Sequence, residues 1–139
     1  MFTNRRTVRI EWGDCDPAEI VFYPRYFAFF DASTQYLFEA VGIKKYEMRK
    51  RFGVVGYPML ETNAKFMIPS RFGEDIDIES TISNFGRSSF TVTHRVLKGE
   101  AVAIEVTEKR AMVHVDPATG KLKSCPIPEE IINAFKAKA

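Results

Sequence analysis

Tyr23-Pro-Arg-Tyr-Phe-Ala-Phe-Phe-Asp-Ala-Ser-Thr-Gln-Tyr-Leu-Phe-Glu-Ala-Val-Gly42 is the stretch that decides the fold. Tyr26, Phe29, Phe30, Ser33, Leu37, Ala40 and Val41 recur at three-to-four spacing, the repeat of one helical face. Pro24 suits the first turn of such a helix, because proline fixes φ and lacks only an N–H that has no partner there. Gly42 supplies a C-terminal stop. Phe27 and Phe38 fall off the stripe, so the helix reads as apolar on more than one face, as a helix wrapped by a sheet would be.

Outward from this helix the period changes. Thr7-Val8-Arg9-Ile10-Glu11-Trp12 alternates polar with apolar, as a half-buried strand does, and Gly13 to Pro17 breaks the pattern with turn-formers. Lys45 to Phe52 reads as a short second helix closed by Gly53. Beyond Tyr57 the period drops to two, and strands are predicted over 57–68, 75–85, 88–98 and 101–115. Ile76, Ile78 and Ile82 share one face, as do Phe90, Val92, His94 and Val96. Val102, Ile104 and Val106 take one parity while Ala111, Val113 and Val115 take the other, which predicts a bulge or bend near Glu108. Asp116 to Gly120 is a turn, and Pro128 opens a closing helix. One long helix and five strands make an α+β arrangement, an antiparallel five-stranded sheet wrapped around one central helix, in a single domain spanning 1–139. A sheet edge and one face stay open, which predicts dimerisation.

Composition narrows the functions available. Hydrophobic residues make up 45% and charged residues 27%, the balance of a globular chain. Twenty basic and 18 acidic residues leave a net charge of +2, without the one-sided basic patch of a nucleic-acid binder. No run reaches the roughly 18 apolar residues of a membrane span, and no secretory signal opens the chain, so the expected location is the cytoplasm. Cys15 and Cys125 are no disulfide framework, and with His94 and His114 they show no zinc spacing; no metal and no cofactor are expected. Twelve phenylalanines, five tyrosines and one tryptophan suit an aromatic core or an apolar pocket.

The chemistry concentrates in Trp12-Gly-Asp-Cys-Asp-Pro-Ala-Glu-Ile-Val-Phe-Tyr-Pro24: a strand end, a tight turn and the start of a buried helix. Unpaired N–H groups and a partial positive charge at a helix N-terminus stabilise negative charge on a nearby oxygen. A carboxylate just upstream adds a nucleophile or base, a minimal kit for acyl transfer. Thioesters need little more, since the thiolate leaves without strong acid assistance.

The run Gly-Asp-Cys-Asp-Pro-Ala, followed by Ile20-Val21, Tyr23-Pro24 and Asp31-Ala32, resembles the 4-hydroxybenzoyl-CoA thioesterase family of hotdog-fold enzymes. The likeness continues through Val55-Gly56, Pro58, Asn63-Ala64, Phe66, Arg87 to Phe90 and His94. A relative of the Tol–Pal envelope system carries histidine where this chain has Pro24, which favours the aroyl-CoA branch. The resemblance implies Asp16 as the catalytic carboxylate and the Tyr23 backbone N–H as the group polarising the thioester oxygen. It implies an aromatic pocket wall at Phe22, substrate contacts at Pro58 and at Asp31, where a ring hydroxyl could be met, and coenzyme A contacts at Arg87, Ser88 and Arg110. It also implies an acyl-CoA substrate and a homodimer or homotetramer with the site at a subunit interface. Glu19 stands where glycine is expected, and Ser88 where a basic residue is.

Each residue also has a plainer reading. Asp16 in an Asp-Pro turn could be a turn-former, and Asp14 reads as structural. His94, in phase with Phe90 and Val92, reads as a packed core or interface histidine, and His114 likewise. Asp31 could face solvent or a dimer seam, and Arg87 and Arg110 could be surface charges. The functional alternatives are a short- or medium-chain aliphatic acyl-CoA thioesterase, a hydratase or dehydratase of acyl thioesters, and a non-catalytic acyl-CoA binding module.

Overall fold

In the computed structural model, which describes residues 1–139, the chain runs β1 (Thr3–Arg9), a short 3-10 turn (Trp12–Asp14), α1 (Tyr23–Ala40), α2 (Lys45–Phe52), β2 (Met59–Phe66), β3 (Asp75–Phe85), β4 (Ser89–Lys98), β5 (Ala101–Ala111), β6 (Val113–Val115), β7 (Leu122–Ser124) and α3 (Glu129–Lys138). Five strands make one sheet in the order β1-β3-β4-β5-β2, antiparallel at every pairing. β6 and β7 form a separate two-stranded ribbon around the Asp116–Gly120 turn.

The predicted helices match closely. Pro24 occupies the first turn of α1, and Gly53 caps α2 in the left-handed region at φ 71°. The buried face of α1 is Tyr26, Phe30, Ser33, Thr34, Leu37 and Phe38. Phe38 therefore belongs to the packed stripe, while Phe29, Ala40 and Val41 flank it half-buried. The strands differ more. β1 lies at 3–9 rather than 7–12, because it pairs with β3 from Thr3–Thr81 to Arg9–Asp75 and Trp12 already begins the 3-10 turn. β2 is shorter than 57–68.

The phase slip expected near Glu108 is elsewhere. Val96 pairs with Ile104 and Leu97 with Val102, which leaves Ala103 as the extra residue of a bulge. From there the inward parity runs unbroken through Ile104, Val106, Glu108 and Arg110, all buried. The strand breaks at Met112, whose N–H donates to the Ser88 carbonyl (2.8 Å) outside the sheet ladder. Two charged side chains thus sit where the pattern calls for apolar ones.

They belong to a buried polar layer that divides the core. One lobe packs Tyr26, Phe30, Ile76, Ile78, Val96 and Ile104. The other packs Leu37, Phe38, Tyr57, Phe90, Met112 and Phe135 among others. Between them, one residue per element, lie Thr34 of α1, Ser80 of β3, His94 of β4 and Glu108 of β5, each no more than 1% exposed. The His94 ring stacks on Phe30 at 5.2 Å. Its Nε2 lies 2.8 Å from Glu108 Oε1 and its Nδ1 2.7 Å from Ser80 Oγ. Thr34 Oγ1 donates to the same Glu108 oxygen at 3.3 Å. A buried carboxylate without such donors would cost several kcal/mol.

Burial opposes the charged form of Glu108, but the His94 hydrogen bond and the charges of His94 and Arg110 outweigh it and hold the carboxyl below the ordinary carboxylate range. Since the folded value is lowered, this stabilisation is complete above the unfolded-chain value of about 4.3 and disappears as pH falls through the folded value. Glu108→Gln should lose about 3 kcal/mol at neutral pH and show a shallower fall in stability on acidification. Urea unfolding of both proteins from pH 7 down to pH 2.5 measures this; parallel curves would remove Glu108 from the acid response.

Candidate active site

The segment between the 3-10 turn and α1 closes on itself. Phe22 N–H donates to Asp14 O (2.8 Å), Cys15 bridges Val21, and Asp16 N–H donates to Ile20 O (3.0 Å). This miniature hairpin alternates like a strand pair. Val21 is buried and Cys15 packs against the same core lobe, which puts Asp16, Ile20 and Phe22 on the opposite face. Cys15 is thereby directed inward, its Sγ 3.7 Å from Glu11 O. Asp16 is half-buried; its Oδ1 accepts the Ala18 N–H at 2.8 Å and its carbonyl accepts the Glu19 N–H at 2.8 Å. Asp14 is the structural partner: 5% exposed, it takes the Glu11 N–H on Oδ2 (2.9 Å) and Arg25 on Oδ1 (3.0 Å). Arg25 belongs to the first turn of α1, so this pair ties the hairpin to the helix start.

Tyr23 is the first residue of α1 and has no helical carbonyl four residues before it, while Pro24 has no N–H at all. The Tyr23 N–H is thus the donor left at the helix mouth, flanked by the Tyr23 and Phe22 side chains, 61% and 48% exposed. An apolar cleft of about 310 Å³ opens beside it, lined by Ile20, Tyr23, Tyr26, Phe66, Met67 and Ile68 among others. A carboxylate and an unpaired N–H on one rigid turn can attack, or activate water toward, a carbonyl whose oxygen rests at the helix end.

A second cleft, of about 520 Å³, gathers Phe27, Asp31, Lys45, Tyr57, Pro58 and Arg110. The sequence-predicted Asp31 and Pro58 therefore share one wall. Lys45 Nζ sits 4.8 Å above the Tyr57 ring. Burial pushes the Tyr57 phenol upward although the nearby Arg110 charge works the other way, so it stays protonated. Arg110 requires a correction. Expected beside coenzyme A phosphates, it is 4% exposed, and its guanidinium is taken up by Asp31 Oδ1 (3.0 Å), Tyr57 O (3.2 Å) and Glu108 (3.4 Å). A cation so enclosed has no face left for a phosphate. Arg87 is exposed in the β3–β4 loop, where its carbonyl accepts Ile127 N–H (2.8 Å) and Ser88 O accepts Met112 N–H (2.8 Å). No group of three His, Cys, Asp or Glu side chains comes together that could hold a metal ion. Glu108, Thr34 and Ser80 were absent from the sequence-level candidates; the one available signal was an acidic residue on the inward parity of β5.

The family model described as the thioesterase-like superfamily matches residues 10–135. The 4-hydroxybenzoyl-CoA thioesterase of Pseudomonas sp. (strain CBS-3) is 36% identical over 89 residues, a match spanning 63% of each chain. Its three-dimensional structure superposes with a TM-score of 0.88 at 29% identity, covering 95% of this chain and 98% of that one. The Escherichia coli acyl-CoA thioester hydrolase YbgC is 26% identical over 95% of both chains. A gentisyl-coenzyme A thioesterase structure gives a TM-score of 0.83 at 27% identity, over 95% of this chain and 99% of that one. The five-stranded sheet and long helix are thus the hotdog fold.

Glu19, at the tip of the Asp16 turn, has φ 67°. That left-handed conformation costs a side-chain-bearing residue roughly 1–2 kcal/mol, of which glycine would recover part. Glu19→Gly should raise stability by about 1 kcal/mol, read as a Tm gain of about 3 °C. A lower Tm would mean that the Glu19 side chain contributes more than its backbone loses.

Proposed function

The chain belongs to the thioesterase-like superfamily, and from that premise we propose that it hydrolyses an aroyl-CoA thioester, such as 4-hydroxybenzoyl-CoA, to the free acid and coenzyme A. Thioester hydrolysis itself accords with kinship, since a relative matched over 95% of both chains is an acyl-CoA thioester hydrolase. The observation that carries the mechanism is the closed turn that holds the Asp16 carboxylate and the Tyr23 N–H on the same small element. Asp16 attacks the thioester carbon, or draws a proton from the water that does so. Negative charge moves to the carbonyl oxygen, where the Tyr23 N–H and the positive end of α1 receive it. The C–S bond breaks and coenzyme A leaves as thiolate. If Asp16 is the nucleophile, water then cleaves the resulting anhydride and restores the carboxylate.

The ring assignment draws on the cleft that holds Asp31, whose carboxylate is 57% exposed. A ring hydroxyl can donate to it. Relatives named for 4-hydroxybenzoyl-CoA and gentisyl-coenzyme A support a hydroxylated ring. Phe22, exposed next to Tyr23, supplies an aromatic wall, and Pro58 part of the cleft. Arg87, with Ser88 beside it, is the cation proposed for the coenzyme A phosphates. Asp31 stands just over two turns along α1 from Tyr23, and every β2 residue except Ala64 is exposed at an unpaired sheet edge. We therefore propose a homodimer, or a tetramer of dimers, that covers this edge and completes the site from two protomers. The reaction needs neither metal nor cofactor, and no helix is long and apolar enough to cross a membrane; the cytoplasm, where acyl-CoA is made and used, is the proposed location. A second reading, an aliphatic acyl-CoA substrate, has its own support in the cleft beside Tyr23, seven of whose eight lining residues are hydrophobic.

Thiol release from benzoyl-, 4-hydroxybenzoyl-, phenylacetyl-, acetyl-, hexanoyl- and palmitoyl-CoA separates the two. Preference for the 4-hydroxybenzoyl thioester is expected, and activity confined to linear chains would transfer the function to the second reading. Asp16→Asn should lower turnover by at least about 100-fold; unchanged turnover removes Asp16 from the mechanism. Tyr23→Pro deletes the proposed oxyanion donor at a position where proline is tolerated in a helix. It should lower kcat about 100-fold relative to Tyr23→Ala, and equal rates in the two variants would assign the oxyanion to another group.

A further inference from the structure

The polar layer of the core reaches water at one place. Glu108 and Arg110 are two residues apart on β5, so both side chains point to the inner face of the sheet. Arg110 Nη2 donates to Asp31 Oδ1 at 3.0 Å and reaches both Glu108 oxygens at 3.4 Å; Nη1 donates to Tyr57 O at 3.2 Å, and the guanidinium carbon lies 5.6 Å from the Tyr57 ring centroid. Glu108 is fixed in turn by His94 and Thr34, and His94 by Ser80. Every member from Ser80 to Arg110 is buried, whereas Asp31 stands at the wall of the 520 Å³ cleft with Oδ2 bonded to nothing in the protein.

An aspartate on the open face of a helix would ordinarily sample several rotamers. An arginine beside a cleft, if free, would turn outward and recruit anions. Here each restrains the other. Arg110 serves two carboxylates from one side, and the buried one keeps it from swinging into the cleft. The three charges sum to −1, and the part that faces the cleft is an acceptor.

We propose that Glu108 and Arg110 are positioning residues that hold Asp31 in one orientation, so that the cleft selects acyl groups bearing a neutral hydrogen-bond donor at that point. The selection rests on the reading of this cleft as the acyl site; the positioning does not. A donor meeting a fixed, ionised acceptor gains a charge-assisted bond without first ordering the side chain.

The informative variant is the double substitution Glu108→Gln with Arg110→Met. It keeps the net charge of the Asp31, Glu108 and Arg110 group at −1 while removing the restraint on Asp31. The preference for 4-hydroxybenzoyl-CoA over benzoyl-CoA in kcat/KM should fall about tenfold, the effect of losing one charge-assisted bond, mainly through KM of the hydroxylated thioester. Any general damage to the site would lower kcat for both thioesters alike, so the ratio between them is the readout. Asp31→Asn should give a similar fall, and adding it to the double variant should change little further, because groups acting as one unit are not additive. A folded double variant with the wild-type preference, or a triple variant showing the product of the two losses, would overturn the proposal. Should the double variant not fold, Arg110→Lys keeps the charge but not the fork and should weaken the preference in the same direction. The orientation of Asp31 is read independently from side-chain three-bond couplings in labelled protein without substrate. One staggered rotamer in the wild type and averaged couplings in the double variant are expected; averaging in the wild type overturns the positioning whatever the substrate. A single Asp31 rotamer in a protein that ignores both aromatic thioesters would instead overturn the aroyl reading and leave the positioning standing.

Discussion

Glu108 is a carboxylate with no exposure at all in the middle of a sheet, and satisfying it constrains most of the molecule. An isolated buried charge is among the most expensive groups a fold can hold, so its donors must come from fixed places. They come from three elements: His94 on β4, Arg110 further along β5 and Thr34 on α1. Those contacts set the registers. Ser80 faces His94 across β3–β4 and Val92 faces Glu108 across β4–β5, and a one-residue slip in either pairing would turn a layer member outward. The same donors fix the rotation of α1 about its axis, since Thr34 must meet Glu108 while Phe30 covers the His94 ring.

Fixing α1 also fixes both ends of the proposed chemistry. Its first residue presents the free N–H of Tyr23, and the preceding turn is tied to that helix through Asp14 and Arg25. Asp16 therefore inherits its placement from backbone hydrogen bonds and needs no side-chain partner beyond Ala18 N–H. Further along, the same helix delivers Asp31 to a different cleft, next to an arginine supplied by β5. One helix thus presents the proposed oxyanion donor at its first residue and the proposed recognition group near its middle. Burial of the Tyr57 phenol and the fully committed Arg110 leave Lys45 and Asp31 as the charges this cleft offers to a ligand.

The features legible in the sequence were those with local causes. Pro24, the aromatic spacing and Gly42 outlined α1, Gly53 closed α2, and strict alternation placed β3 at the span it occupies. Turn chemistry around Asp-Pro located the Asp16 segment. Features set by remote partners were not legible. Glu108 and Arg110 continue the buried parity of β5, yet their charge made the alternation look broken, because their partners on other elements lie 14 to 79 residues away. Phe38 lay outside a stripe drawn on helical spacing alone, but Tyr57 and Phe135 pack against it and draw it inward. β7 has three exposed residues and no alternation to announce it; only its pairing with β6 makes it a strand.

The division of the core has a consequence for how such a protein can change. The lobe containing Val21, Tyr26 and Phe30 lies under the Asp16 turn, whereas Tyr57, which lines the Asp31 cleft, belongs to the other lobe; Phe27, packed against the first lobe, lines that cleft as well. Side chains in a continuous apolar core transmit strain to their neighbours. The layer of directional hydrogen bonds between the lobes adds its own demand, because Thr34, His94 and Glu108 keep their partners only in one relative placement. Substitutions around the cleft are therefore tolerated where they leave that placement alone, and the room for the proposed acyl site to vary is bounded by the same buried contacts that hold α1 and the turn before it.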